Sequence, residues 1–231
     1  MSEQPTKVTI DVWSDVMCPW CVIGTRQLQK ALDELDGEIE AEVRFRPFEL
    51  NPDMPPEGEE QAAHIQRKYG RPAAESADVR DRLKGFGDRV GYSFAYEGEG
   101  EAPQAMMWNT FLAHKLLYWA LRAGGPEVQG KLKRAMFDAH FQQRRNMADP
   151  EVLVELAESV GLPRLGAAQA LLDEQVGKSV RHEEATAWDM NITGVPAMVV
   201  NGRALIPGAQ EPETYVNVLR KVVAKEAAQA G

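Results

Sequence analysis

Residues 8–35 contain the pattern that most restricts the fold of this chain, a strand that runs into a helix through the only two cysteines. Apolar and polar side chains alternate in residues 8–13, which predicts a β-strand. After Cys21, apolar residues recur at helical spacing as far as Leu35, and Gly37 follows where a helix cap is expected. The two cysteines therefore open the helix that follows the first strand.

The first turn of a helix favours a reactive thiol. Its backbone N–H groups lack partners and the positive end of the helix dipole lies there, so both stabilise a thiolate at Cys18. Pro19 suits the first helical position because it lacks an N–H and its φ is already helical. A spacing of three places Cys21 on the same helix face, within reach of a disulfide. The motif Cys-Pro-Trp-Cys therefore predicts a redox dithiol in which Cys18 attacks and Cys21 resolves.

The same spacing also occurs in zinc sites. Such a site needs two further ligands, yet the chain has no second Cys-x-x-Cys, and its four histidines are scattered over segments with helical patterns. We therefore expect no metal.

Composition restricts the partners. A net charge of -9 argues against general nucleic-acid binding, which requires a basic surface. No charged leader is recognisable at the N-terminus, and no apolar run approaches the length of about 20 residues that spans a membrane. Since both cysteines belong to one motif, we expect a cytoplasmic protein without structural disulfides.

The remaining patterns predict an α/β fold with an insertion. A second strand over residues 40–48 completes a βαβ unit with parallel strands, and turn residues follow at 51–56. Near the C-terminus, a helix over 178–190 precedes a hairpin and a last helix from Pro212. Between these pieces the patterns are helical, over residues 61–69, 78–90, 104–122, 127–143, 151–160 and 166–175.

We therefore predict one mixed sheet with helices on its faces, built from residues 1–52 and 178–231. Residues 53–177 form the insertion. The hairpin strands lie at 197–201 and 203–206, joined by a type I′ turn at Asn201-Gly202.

Cys-Pro-x-Cys at a helix start, together with Gly-Val-Pro at 194–196, resembles the thioredoxin superfamily, and the helical insertion resembles its DsbA branch. DVWSDVMCPWCVIG, RPFELNP, GVPAMVVNGR and GAQ are similar to the FrnE-like subgroup of DsbA-type thiol-disulfide oxidoreductases. These stretches lie in both outer pieces of the chain. The resemblance implies a thioredoxin-like fold, βαβ followed by αββα, with a large all-helical insertion.

The resemblance also implies the site. Pro196 is expected to follow a cis peptide bond and to pack against the cysteine motif, where Val195 would offer its N–H and C=O to an extended substrate. The alternative for Pro196 is an ordinary edge-strand proline. Pro19 and Trp20 complete the predicted substrate-binding residues.

Trp20 and Asp11 depart from the pattern of the relatives. DsbA has a histidine at the position of Trp20, so the Cys18 thiolate lacks a stabilising charge and we expect a less oxidising couple. An apolar lid over the sulfurs is the alternative role of Trp20. Thioredoxins carry a buried acid on the first strand that relays a proton; Asp11 lies one residue further upstream, and a solvated or loop-bonded aspartate is the alternative. Asp15 is expected to bond loop amides.

The predicted function is thiol-disulfide exchange with protein or low-molecular-weight thiols and disulfides. No cofactor is expected besides the redox-active Cys18–Cys21 disulfide, and glutathione is a candidate co-substrate. The reducing poise of the cytosol favours reductase or isomerase work. Two alternatives remain, a glutathione-dependent isomerase or transferase of the 2-hydroxychromene-2-carboxylate isomerase or kappa-class type, and a peptide-binding or chaperone module without catalysis. The isomerases and transferases typically carry serine in place of the first cysteine.

Overall fold

The computed structural model describes residues 4–70 and 73–230 of the chain. The helices and strands occur in the following order: β1 (Thr6–Ser14), α1 (Pro19–Glu34), β2 (Ile39–Pro47), β3 (Glu59–Glu60), α2 (Gln61–Tyr69), α3 (Ala73–Val90), β4 (Met106–Met107), α4 (Phe111–Phe141), α5 (Pro150–Ser159), α6 (Arg164–Leu172), α7 (Glu174–Asp189), β5 (Ala197–Val200), β6 (Ala204–Pro207) and α8 (Pro212–Ala230). Among the described residues, no helix has both the length and the apolar character needed to cross a bilayer.

The central sheet has four strands in the order β2-β1-β5-β6. β1 and β2 are parallel, whereas β5 runs antiparallel to β1 and to β6. The predicted mixed sheet and its βαβ unit are therefore confirmed. The hairpin turn contains the expected left-handed residues, Asn201 (φ 49°) and Gly202 (φ 65°). Because Val200 pairs with Ala204, however, the connection has three residues instead of the predicted two.

The alternation of β1 separates two layers of helices. Val8, Ile10 and Val12 pack into one cluster with residues of α1 and α8. Trp13 points to the opposite face, where it joins Ala187 of α7 in a second cluster. A third cluster fills the insertion, between α4, α5 and α6. The dithiol motif lies at the end of β1, where these layers meet.

The insertion also contains a two-stranded ladder. Glu59–Glu60 pairs antiparallel with Met106–Met107, where the sequence predicted a helix over 104–122. The helix begins only at Phe111, whose N–H is accepted by the Asn109 side chain (3.0 Å). The description of the insertion as all-helical is corrected at these four residues, because pairing between distant segments leaves no local periodicity.

The predicted break between residues 122 and 127 is confirmed inside α4, where the backbone of Gly125 is non-helical (φ 77°) and the element is kinked. One further boundary differs from prediction. α7 begins before residue 178 because the Asp173 side chain accepts the N–H groups of Gln175 (2.7 Å) and Val176 (3.4 Å). The predicted division of the chain at 177/178 thus falls within α7, and the two-domain description stays a prediction.

Gln129 of α4 joins the insertion to the edge of the sheet. Its side-chain amide accepts from the N–H of Phe45 (2.8 Å) and donates to the C=O of the same residue (2.9 Å), as a neighbouring strand would. It also donates to the Leu117 carbonyl (3.1 Å). Gln129 is fully buried. The β2 edge is therefore covered by a side chain instead of a fifth strand.

Candidate active site

The two cysteines lie in the first turn of α1. Cys18 is the N-cap residue and Pro19 occupies the first helical position, as predicted. The Cys18 N–H donates to the Asp15 carbonyl (3.2 Å), and the Cys21 N–H donates to the Cys18 carbonyl (3.0 Å). Both side chains are free thiols, and Cys18 retains only 4% of its surface while Cys21 retains none. The turn therefore leaves a small part of Cys18 accessible and buries Cys21 completely.

The pKa values of the two thiols are shifted in opposite directions. The pKa of Cys18 lies below its ordinary value, first because of the hydrogen bond with the Cys21 side chain and further because the amides of Cys21 and Trp20 point to the sulfur. Burial and the charge of Asp15 act in the opposite direction. The pKa of Cys21 is well above its ordinary value, because of burial first and the Cys18 sulfur second. Cys18 is therefore the thiol that ionises first.

The predicted loop residues lie directly beside the motif. The Val195–Pro196 peptide bond is cis, and the Cys18 thiol donates a hydrogen bond to the Val195 carbonyl (3.7 Å). This loop and residues Leu205 and Pro207 of β6 line a groove of about 340 Å³. The structure thus brings Cys18, Cys21, Val195 and Pro196 together.

Because Gly24 has no side chain, this loop can approach α1 closely. A Cβ atom at Gly24 would lie 2.9 Å from Cγ of Pro196 and 3.4 Å from Ala209. Real Cβ atoms do not approach other atoms so closely, so any side chain here would displace the loop. Gly24 belongs to the functional residues that the sequence analysis did not single out, although it ends the CVIG stretch quoted there.

Trp20 stands at the rim of the motif and is 40% exposed. Its ring packs edge-on against Phe86 of α3, with 5.1 Å between the centroids. The Arg89 guanidinium lies 4.2 Å from the centroid of Phe86. These contacts favour the apolar lid that was the alternative role for Trp20.

The two aspartates of the first strand and loop occupy different surroundings. Asp11 accepts hydrogen bonds from Arg44 (3.0 Å) and Arg46 (2.8 Å) on β2, so its carboxylate is engaged in ion pairs. Its predicted proton relay stays a prediction. Asp15, in contrast, is fully buried next to the motif and accepts the N–H groups of Met17 (3.3 Å) and Leu50 (2.8 Å). The prediction that Asp15 bonds loop amides is confirmed.

The insertion contributes buried titratable groups to the floor of the site. Lys133 and His140 of α4 are both buried, and His114 of the same helix lies 3.7 Å from Asp15. Sequence reasoning missed these residues because the site is assembled from distant segments. One signal was available for Lys133, since it shares a helix face with Gln129 and Phe137 at a spacing of four, and polar residues within an apolar stripe indicate a buried contact.

Fold and motif together define a thioredoxin-like protein with a dithiol at the start of its first helix. Residues 9–220 match the DSBA-like thioredoxin domain, and the chain belongs to this family. It is 26% identical to the uncharacterized protein YwbO of Bacillus subtilis over 213 residues, which cover 90% of this chain and 94% of YwbO.

Two solved structures are similar in fold. The crystal structure of a probable DsbA oxidoreductase from Streptomyces coelicolor superimposes with a TM-score of 0.82 at 28% identity, and covers 94% of this chain and 90% of that one. The cytosolic disulfide reductase DsbM of Pseudomonas aeruginosa, solved with GSH, gives a TM-score of 0.61 at 21% identity, with coverage of 94% and 99%. The second likeness concerns the fold alone.

Proposed function

We propose that this protein is a thiol-disulfide oxidoreductase that reduces or rearranges disulfides through Cys18 and Cys21. The observation that carries the proposal is the position of Cys18 at the N-cap of α1, where its thiol bonds the Val195 carbonyl before the cis Pro196 and the fully buried Cys21 follows three residues later. Membership of the DsbA-like family supports the same chemistry. The narrower FrnE-like assignment stays a prediction.

The first step uses the acidified thiol. The Cys18 thiolate attacks one sulfur of a substrate disulfide, a mixed disulfide forms, and the departing substrate thiolate takes up a proton. In the resting site the Val195 carbonyl accepts the Cys18 S–H. Ionisation of Cys18 frees this carbonyl, so an extended substrate segment can then pair with the backbone of Val195 in the groove beside it.

The second step uses the buried thiol. Cys21 loses its proton and attacks Cys18, which releases the second substrate thiol and leaves the Cys18–Cys21 disulfide. Since burial keeps Cys21 protonated until then, it does not compete for the substrate. The cycle closes when an external dithiol or two molecules of glutathione reduce the disulfide.

Glutathione is our proposed electron donor. Only the two motif cysteines occur in the chain, which supports a location in the reducing cytoplasm, where the glutathione pool would keep the pair reduced. The structure of DsbM with GSH supports a small-thiol partner for this fold. The direction of electron flow is then from glutathione to a substrate disulfide.

Cysteine at both motif positions favours exchange chemistry over the two alternative functions. A glutathione-dependent isomerase or transferase needs no resolving thiol, and a chaperone needs neither sulfur. Substitution of each cysteine by serine separates the three functions.

The experiment combines turnover with trapping. Wild-type protein, Cys18→Ser and Cys21→Ser are assayed for glutathione-driven reduction of insulin and of a small disulfide, and each is incubated with the disulfides for mass analysis. We expect no turnover for either variant and a stable mixed disulfide only on Cys21→Ser. Unchanged activity of Cys18→Ser would overturn the proposal in favour of a chaperone. Glutathione-dependent activity of Cys21→Ser without any trapped species would favour the isomerase or transferase.

A further inference from the structure

Lys133 is a buried lysine whose side-chain hydrogen bond goes to a neutral carbonyl and not to an anion. None of its surface is exposed, and its ammonium donates to the Ser14 carbonyl at 3.3 Å. The rings of Phe137 and Phe45 lie 5.1 and 5.7 Å from the nitrogen. An ammonium group in such surroundings is costly unless an anion lies close to it.

The titratable groups around Lys133 come from three elements. The loop before α1 supplies Asp15, α1 supplies Cys18 and Cys21, and α4 itself supplies His114 and His140, which lie near Asp15. Burial lowers the pKa of His140 to about 4, so this imidazole is neutral near pH 7.

Asp15 is a poor candidate for the main counter-ion. Its carboxylate already accepts two backbone N–H groups, from Met17 and Leu50, and lies beside His114. The Phe137 ring that faces the Lys133 ammonium packs in one cluster with Cys18 and Cys21, so the dithiol lies close to this ammonium. Since burial keeps Cys21 protonated, the sulfur anion that can balance Lys133 is the Cys18 thiolate.

We propose that Lys133 is the counter-ion of the reduced dithiol and that it loses its proton when the disulfide forms. This inference rests on the proposed function, because it concerns the same two sulfurs. Lys133 acts on the charge of the sulfurs and does not touch the substrate, so it is a positioning residue and not a catalytic one.

The balance of the step is complete with a substrate disulfide as oxidant. The Asp15 carboxylate keeps its charge in both states, and the groups that change are one thiolate, one thiol and one ammonium. Two electrons pass to the substrate disulfide, the Cys18–Cys21 bond forms and the substrate S–S bond breaks. The protons of Cys21 and Lys133 end on the two substrate thiols, which leaves a neutral disulfide next to a neutral amine.

The pKa of Lys133 is close enough to neutral pH for the ammonium to lose its proton when the disulfide forms. Burial lowers its pKa to about 8, although the charges of Cys21, Asp15 and Cys18 act to raise it. Disulfide formation removes the thiolate charge, so the pKa of Lys133 falls further and the amine form prevails near neutral pH.

A proton count on the full chain tests the proposal. Reduced protein is oxidised with ferricyanide, which takes electrons without protons, in weakly buffered solution at pH 7. The thiol protons are calculated from the thiolate absorbance titration, and disulfide formation is verified by mass. We expect wild-type protein to release an excess of about one proton beyond its thiols, whereas Lys133→Met releases none.

Lys115→Met is the matched control, because Lys115 is also a buried lysine of α4 but donates to the Leu171 carbonyl in the insertion (2.6 Å). The excess of released protons for Lys115→Met should equal that of wild-type protein. A wild-type excess near zero with a complete disulfide overturns the counter-ion role alone. Absence of a disulfide overturns the proposed function as well.

The equilibrium with glutathione gives a second readout, which needs only a folded variant. Loss of the counter-ion destabilises the reduced thiolate, so Lys133→Met should shift the exchange constant at least tenfold toward the disulfide, or about 30 mV. The Cys18 titration should move to higher pH. Equal constants and titrations for Lys133→Met and wild-type protein would refute the inference.

Discussion

Replacement of Gln129 by methionine tests the joint between the insertion and the sheet. The substitution keeps the length of the side chain but removes three hydrogen bonds, two with the Phe45 backbone and one with the Leu117 carbonyl. The N–H and C=O of Phe45 would remain in the interior without partners, whereas the Leu117 carbonyl keeps its bond within α4. With a cost of about 1 to 3 kcal/mol for each of these two buried groups, and partial relief from relaxation, we expect a loss of about 2 to 4 kcal/mol.

Such a loss is large against a typical unfolding free energy of about 5 to 15 kcal/mol. The assay is urea denaturation of the reduced protein, followed by circular dichroism. Gln27→Met is the control, since Gln27 is also a buried helical glutamine but makes one side-chain bond, to Glu211 (3.1 Å). We expect it to lose about 1 kcal/mol. A loss below about 1 kcal/mol for Gln129→Met would refute the reasoning that the amide replaces a neighbouring strand.

Three other substitutions have defined outcomes. Gly24→Ala should push the loop at Pro196 away from the motif and reduce turnover with disulfides at least tenfold. The control is Gly85→Ala, whose added Cβ meets nothing within 4 Å and which should leave turnover unchanged. Equal rates for the two variants would contradict the close approach of the loop to Gly24. The pKa of His140 is about 4 in the folded state and about 6.5 in the unfolded state, so the unfolded state binds more protons between these values. The free energy of unfolding therefore falls as the pH falls from 7 to 4. His140→Leu should remove about 3 kcal/mol of this fall, measured by urea titrations at pH 7 and pH 4. Asp11→Asn should lower the melting temperature but leave the pH dependence of Cys18 alkylation unchanged, and a shifted profile would restore the proton relay.

Local patterns predicted the parts of the site that are contiguous in the chain. The alternation of β1, the proline at the first helical position and the helical spacing after Cys21 are all contained in one segment, so the strand–motif–helix unit could be read directly. The hairpin residues Asn201 and Gly202 are equally local, because both positive φ angles follow from residue type.

The floor of the site could not be read in this way. Lys133 reaches the Ser14 carbonyl from a helix that Gln129, one turn earlier on α4, fixes to the edge of β2. Asp15 is fixed by the N–H of Leu50, which the chain brings back after the second strand. Contacts of this kind depend on tertiary packing, which a window of neighbouring residues does not contain.

The role of α4 restricts how this protein can be reduced to a smaller enzyme. An engineer who excised the insertion to obtain a minimal redox module would remove Gln129 and Lys133 together. The shortened molecule would present a bare β2 edge, open to association with other chains. It would also lose the only lysine that reaches the Ser14 carbonyl in the described part of the chain. Miniaturisation would therefore have to retain the helix, or graft a substitute for both side chains onto whatever scaffold replaced it.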